Sequence, residues 1–171
     1  MAYIDPITIT PGQLALATHW NTYIRDNFRA LRGGAVRKTA DESVTSSTVL
    51  QDDNHLLLPI GANAIWAFTA FLIIDDLSGT ADFKMTFVGP SGATGSWAAT
   101  GGAAFSQAPV KALGTTYVFD GASPAITGWV SGTIVNSTTA GNLLLQWAQS
   151  VSNASATTLR ANSWLKADPI T

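Results

Sequence analysis

One helical periodicity runs through residues 10–32 of this 171-residue chain and stops at Gly33-Gly34. Every later segment has the short, alternating apolar pattern of β-strands, so the chain can bury itself only as a β structure with a helical appendage. Thr10-Pro11-Gly12-Gln13 has the composition of a helix start. Thr10 can accept from the N3 amide, Pro11 suits the first helical position, and Gln13 can complete a capping box; Thr18 offers a second start. Leu16, Trp20, Tyr23, Ile24, Phe28 and Leu31 recur at three- and four-residue steps as one apolar stripe, with Arg25, Asp26 and Arg29 elsewhere on the circumference. Tyr3, Ile4 and Ile7 precede it in an extended arm around Pro6. Such a stripe can pack on the chain's own sandwich, but one so aromatic, beside an arm with no partner of its own, is expected rather to meet another chain.

After the glycine pair, strands are expected at 36–40, 43–51, 55–59, 64–75, 81–88, 114–120, 126–136, 142–149 and 157–167, separated by Gly, Pro, Asn, Asp and Ser clusters. The segment 64–75 is apolar on both faces, which predicts a central strand buried on both sides. Residues 81–88 alternate, with Phe83, Met85 and Phe87 inward. Residues 97–109 are rich in Ala and Gly and predict a long loop with at most an edge strand. About eight strands at this spacing predict a mainly β fold: an antiparallel, jelly-roll-like β-sandwich preceded by an N-terminal arm and one α-helix. Two regions are expected, an arm with its anchoring helix at 1–34 and the sandwich at 35–171.

Composition narrows the function classes. Nine Lys and Arg against eleven Asp and Glu give a formal net charge of −2, so no basic field attracts nucleic acid. Only 12% of residues are charged, about half the usual quarter, and a surface so short of charge is expected to be covered by other subunits. No apolar run nears the ~20 residues that span a bilayer, and no basic start precedes an apolar stretch, so neither a membrane partner nor a secretion signal is expected. The absence of Cys removes disulfides and thiolate metal sites. His19 and His55 lack zinc-ligand spacing. Asp52, Asp53 and His55 form the densest polar cluster, expected to be a solvated turn and no metal site; Asp75 and Asp76 are expected to end a strand in the same way. There is no phosphate-binding loop, dinucleotide fingerprint or nucleophile elbow. No catalytic residue and no cofactor is therefore expected. The sequons at Asn136 and Asn153 read as turn residues. Trp66, Trp129, Trp147 and Trp164 fall in predicted strands, as core or subunit contacts, whereas Trp97 lies in the predicted loop and is the candidate for an exposed ring that stacks on a glycan.

Asn21-Thr22-Tyr23-Ile24-Arg25-Asp26-Asn27-Phe28 and Val36-Arg37-Lys38-Thr39-Ala40-Asp41-Glu42-Ser43-Val44 resemble segments of small virion structural proteins of tailed bacteriophages. Pro59-Ile60-Gly61-Ala62-Asn63-Ala64-Ile65-Trp66, Gln146-Trp147-Ala148-Gln149 and Ala161-Asn162-Ser163 extend the resemblance over most of the chain. Proteins of this group serve as head-decoration, head-fibre, minor tail or tail-fibre proteins. The ending Lys166-Ala167-Asp168-Pro169-Ile170-Thr171 departs from the aromatic or basic terminal strand usual there. The resemblance implies a non-enzymatic virion protein assembled in the host bacterial cytoplasm. Its leading form is a homotrimeric capsid decoration or head-fibre protein. Three copies of the helix would meet through Trp20, Tyr23, Ile24 and Leu31, while Tyr3, Ile4, Ile7, Arg25 and Phe28 would anchor on the phage major capsid protein or other virion proteins. The alternative is a tail-associated module that binds host-surface glycans, with Trp97 as the contact.

Overall fold

The computed structural model describes residues 6–8, 10–14, 16–26, 33–76, 78–101, 106–107, 109–120 and 125–170. In chain order the strands are β1 (Gly34–Arg37), β2 (Glu42–Val44), β3 (Gln51–Ile60), β4 (Ile65–Asp76), β5 (Phe83–Val88), β6 (Thr94–Gly101), β7 (Ser106–Gln107), β8 (Lys111–Ala112), β9 (Tyr117–Phe119), β10 (Ile126–Val135), β11 (Gly141–Gln149), β12 (Thr157–Leu159) and β13 (Trp164–Pro169). They form a nine-stranded sheet on the path β1-β13-β4-β10-β6-β7 and a four-stranded sheet in the order β3-β11-β5-β9. Strands β2 and β12 pair beside β4, and β8 pairs with β6.

Eight of these strands divide between the sheets as a jelly roll requires, in the orders β1-β13-β4-β10 in the large sheet and β3-β11-β5-β9 in the small one. The excess over the expected eight comes from β2 and β12 and from β6 to β8, which lie between β5 and β9 in sequence and widen the large sheet beyond β10.

Period-2 alternation builds the core from both sheets. Phe68, Leu72 and Ile74 of β4 meet Phe83, Met85 and Phe87 of β5 and Leu143, Leu145 and Trp147 of β11, all buried. Phe68 and Phe87 lie 5.0 Å apart between ring centroids, and Phe83 stacks on Trp147 at 5.3 Å. Each such pair adds about 0.5–1.5 kcal/mol to simple area burial. Inward-facing Gly128 and Gly132 make room for rings: a Cβ there would come within 2.6 Å of Phe119 and of Phe68 respectively.

The structure corrects four sequence expectations. Strand β4 is fully buried on its inner face only; Thr69 is exposed and Phe71 and Ile73 are half-buried on the outer face. The segment 97–109 contains most of β6, and Trp97 points inward, because Trp97, Ala99 and Gly101 alternate with the more exposed Ala98 and Thr100. The expected strand at 43–51 breaks after Val44 into a turn with Ser46 at φ 53°, so Asp52, Asp53 and His55 lie inside β3.

The fourth correction concerns the helix, which starts later than expected. Thr10 to Gln13 form an isolated turn with Gly12 at φ 89°, the left-handed centre that a Pro-Gly pair supplies. The Gln13 amide donates to the Thr10 carbonyl at 3.0 Å and the Thr10 amide to Gln13 Oε1 at 3.3 Å. These capping-box partners therefore close a turn. Helical geometry begins at Ala17, runs as α1 (Ala17–His19) and continues as a π-helical stretch, Trp20–Asp26. Its N-terminal partner is His19, whose Nδ1 accepts from the Leu16 amide at 3.3 Å. Tyr3, Ile4, Phe28 and Leu31 lie outside the described residues.

Asp76 organises the β4–β5 connection. Its carboxylate accepts from the Ser78 hydroxyl at 2.8 Å and from the amides of Ser78, Ala81 and Asp82 at 3.1, 2.9 and 3.0 Å. Burial alone would push this carboxyl up, but the Ser78 hydroxyl and the three amides outweigh it and hold it below the ordinary value of 3.8. A carboxyl held low in the folded state contributes stability above the unfolded value, about 3.9, and loses it as pH falls through the folded value. Asp76→Asn should thus cost about 1–3 kcal/mol at pH 7. The gap from wild type in urea denaturation should narrow below about pH 4; a gap independent of pH would contradict this role.

Candidate functional site

Two features stand out, one closed and one open. The closed one is a corner where the two sheets meet. Gly34 and Val36 turn inward along β1, and Lys38 continues that phase one residue beyond the strand. Its amide donates to the Ser163 carbonyl at 2.8 Å, and its own carbonyl accepts from the Asn162 amide at 3.0 Å. The Lys38 side chain is fully buried and its Nζ reaches Asp53 Oδ2 at 2.6 Å and Glu42 Oε2 at 2.8 Å. Asp53, also buried, accepts from Trp147 Nε1 at 3.1 Å and from the amides of His55 and Leu56 at 2.9 and 2.7 Å. Glu42 accepts in addition from Gln51 Nε2 at 3.0 Å. The expected solvated turn at Asp52–His55 is thus replaced by a buried ion-pair network. Sequence reading missed Lys38; the signal was its in-phase position after Gly34 and Val36.

Glu42, Asp53 and His55 place one ligand atom each within 4.8 Å of one another, the geometry of a small divalent site. Lys38 supplies the positive charge there, within hydrogen-bond distance of both carboxylates. The remaining partner, His55, shares a hydrogen bond between Nε2 and Thr39 Oγ1 at 3.1 Å. One ammonium against two carboxylates leaves the corner a formal charge of −1, and among the described residues the buried Nδ1 of His55 has no hydrogen-bond partner.

The open feature is the outer face of the large sheet. Trp164, Phe71, Trp129 and Thr100 stand directly opposite one another on β13, β4, β10 and β6. Trp129 is 48% exposed. The three rings gather over Phe71: centroids are 5.1 Å apart for Phe71–Trp129, 5.6 Å for Trp129–Trp164 and 6.4 Å for Phe71–Trp164. Trp129 and Trp164 meet edge to face at 82°. Further along the same face come Lys166, Thr69, Ser131 and Ala98, then Asp168, Ala67, Thr133 and Ser96, then Ile65, Val135 and Thr94. Ser96, Ala98, Val110, Ser131 and Thr133 border a shallow depression of about 330 Å³. A second depression, about 430 Å³, lies at one end of the sandwich by Pro59, Trp66 and Asn142.

The expected site residues separate. Trp97 is 1% exposed. Its Nε1 donates to the Ala112 carbonyl at 3.2 Å and its ring meets Phe87 edge to face at 5.7 Å. The proposed glycan contact is therefore a core residue, and the exposed sandwich tryptophan is Trp129, one of four assigned to core or subunit contact. Trp66 and Trp147 are buried. Trp20 and Ile24 are 60% and 41% exposed, and Ile7 in the arm is exposed too. Tyr23 is half-buried and lies 6.0 Å from His19 between ring centroids. Arg25 donates to Asn21 Oδ1 at 3.2 Å along the helical surface. No helix among the described residues is long and apolar enough to cross a membrane.

No protein-family model matches the chain. No curated protein matches it either. Among solved structures it is similar to one described as the structure of infectious bursal disease virus Gx strain, with 12% identity and a TM-score of 0.21. That alignment covers 98% of this chain and 47% of the other, so this chain spans about half of that one. At such a score the likeness carries no argument about fold or function.

Proposed function

We propose that this chain is a non-enzymatic structural subunit of a bacteriophage virion: a homotrimeric capsid decoration or head-fibre protein that docks on the shell through its N-terminal segment and stabilises it. The observation that carries this reading is the concentration of exposed apolar side chains ahead of the sandwich. Ile7, Leu14, Leu16, Trp20 and Ile24 are all more than 40% exposed within a stretch of eighteen residues. Apolar surface left open in this density marks a contact with another chain. The closed Lys38 corner and the low charge of the surface fit a structural role and offer no reacting groups. The glycan-binding alternative loses support because Trp97 is buried.

Shell stabilisation would act by mass action. A ligand that binds only the assembled state contributes RT ln(1 + [L]/Kd), about 2.7 kcal/mol at a hundredfold excess over Kd. Shells assembled without this protein should bind the full-length chain in sedimentation assays and resist heat better with it. Ile7→Asp combined with Leu14→Asp should weaken that binding at least tenfold, while the sandwich keeps its unfolding midpoint. Wild-type protein that fails to sediment with the shells would overturn the docking reading.

A further inference from the structure

We propose that the outer face of the large sheet, centred on Trp129, seats the N-terminal helical segment of a neighbouring copy of this chain. This deepens the oligomeric part of the reading above and rests on it. The distribution of exposed apolar groups points first to this face. Trp129 and Val135 project from it, Val110 borders it, and Ile170 lies beside Ile65 at its end, all more than 40% exposed.

Area is the second argument. Five neighbouring strands, β1, β13, β4, β10 and β6, have 4, 6, 12, 10 and 8 residues, so at ~4.8 Å spacing and ~3.3 Å per residue the face is roughly 24 by 26 Å. That is about 630 Å², at the lower end of the roughly 600–1,000 Å² that each partner contributes to a stable interface. Covering its centre strands no charge. Lys166 and Asp168 pair with each other at 2.8 Å, whereas Arg37, bonded to the neutral amide of Asn162, lies exposed on the edge strand β1, where its guanidinium stays at the solvated rim.

The occupant follows from what the rest of the chain leaves open and from symmetry. None of residues 16–25 is buried, although Leu16, Trp20 and Ile24 form an apolar stripe. A sheet face that pairs with its own copy closes at two subunits. A ring of three needs two different patches, each meeting the other on the next subunit. The helical stripe and the aromatic sheet face are such a pair. The tilt of Trp129 also separates this surface from a sugar platform: Phe71 and Trp164 lie 28° apart, but Trp129, the most exposed ring, stands at 56° and 82° to them, so it does not extend a flat row on which sugar rings could stack.

Sedimentation equilibrium on the free full-length protein tests this without any shell. The wild type is expected to be a trimer, and Trp129→Glu and Trp20→Glu each to be folded monomers by circular dichroism. Because each variant keeps one competent patch, their equimolar mixture should form a one-to-one heterodimer. Helix-to-helix association would leave Trp129→Glu oligomeric and sheet-to-sheet association would leave Trp20→Glu oligomeric; either result, or a mixture that stays monomeric, would overturn the proposal. If Trp129→Glu fails to fold, Ser131→Glu replaces it, at an exposed polar position on the same face. A wild-type monomer overturns this interface and the trimer together, yet leaves shell docking to be decided by its own assay. A Trp129→Glu protein that keeps the wild-type mass but loses binding to a polysaccharide array overturns the proposal in favour of a glycan surface.

Discussion

Lys38→Met should lower the unfolding free energy by about 3–5 kcal/mol, the cost of removing one partner from a buried ion pair. The substitution keeps an unbranched side chain of similar length, so little volume is lost. What changes is the charge. Asp53 is as buried as Lys38 and lies 2.6 Å from its ammonium group. Without that group its carboxylate keeps its bonds from Trp147 and from the amides of His55 and Leu56, but has no positive partner. Glu42, 2.8 Å from the same nitrogen, loses it as well, and two like charges then face one site. Because Lys38 and Glu42 belong to the large-sheet side and Asp53 to β3 of the small sheet, the strain falls on the joint between the layers. Urea denaturation of both proteins measures the effect, and a loss under about 1 kcal/mol would show that the corner relaxes or admits water.

That corner also shows where sequence reading stops. The alternation that identified β5 works because large apolar and polar residues differ sharply at every second position. Lys38 breaks the pattern, since a lysine in phase with Val36 reads as the end of burial. Only the arrival of Asp53 and Glu42 from distant positions makes a buried ammonium tolerable. Asp53 was legible as polar, yet its placement in a turn followed from local propensity, which tertiary pairing overrides.

The jelly-roll topology itself was readable from strand number and spacing, and the structure bears out the sandwich. The added strands were less legible for a physical reason. β7 and β8 are two residues each, too short to show a period, and β6 is built largely of Ala, Gly, Ser and Thr. The N-terminal motif failed differently. Thr10 and Gln13 make the reciprocal bond a cap would make, but Gly12 takes the left-handed conformation, and the chain leaves the turn without entering a helix. A capping signature fixes local hydrogen bonds; whether a helix follows depends on the residues behind it.

Trp97→Ala should cost about 3–5 kcal/mol, as expected when a buried tryptophan is truncated and its neighbours collapse only in part. Trp129→Ala should stay within about 1 kcal/mol of wild type, because roughly half of that side chain already meets solvent. The contrast inverts the assignment that sequence alone suggests, where Trp97 sits in a glycine-rich stretch and Trp129 in a strand. Trp97 fills space between the sheets against Phe87 and spends its indole N–H on Ala112, so its removal opens a cavity and loses that hydrogen bond together. Both variants should be unfolded at dilutions where subunits are separate, since assembly would add a concentration-dependent term to Trp129. Under those conditions Trp97 governs folding, and at higher concentration Trp129 governs mass. Equal losses for the two under dilution would mean that Trp129 supports the fold through Phe71 and Trp164. The outer aromatic cluster would then be a second core, with no need of a neighbouring chain to explain it.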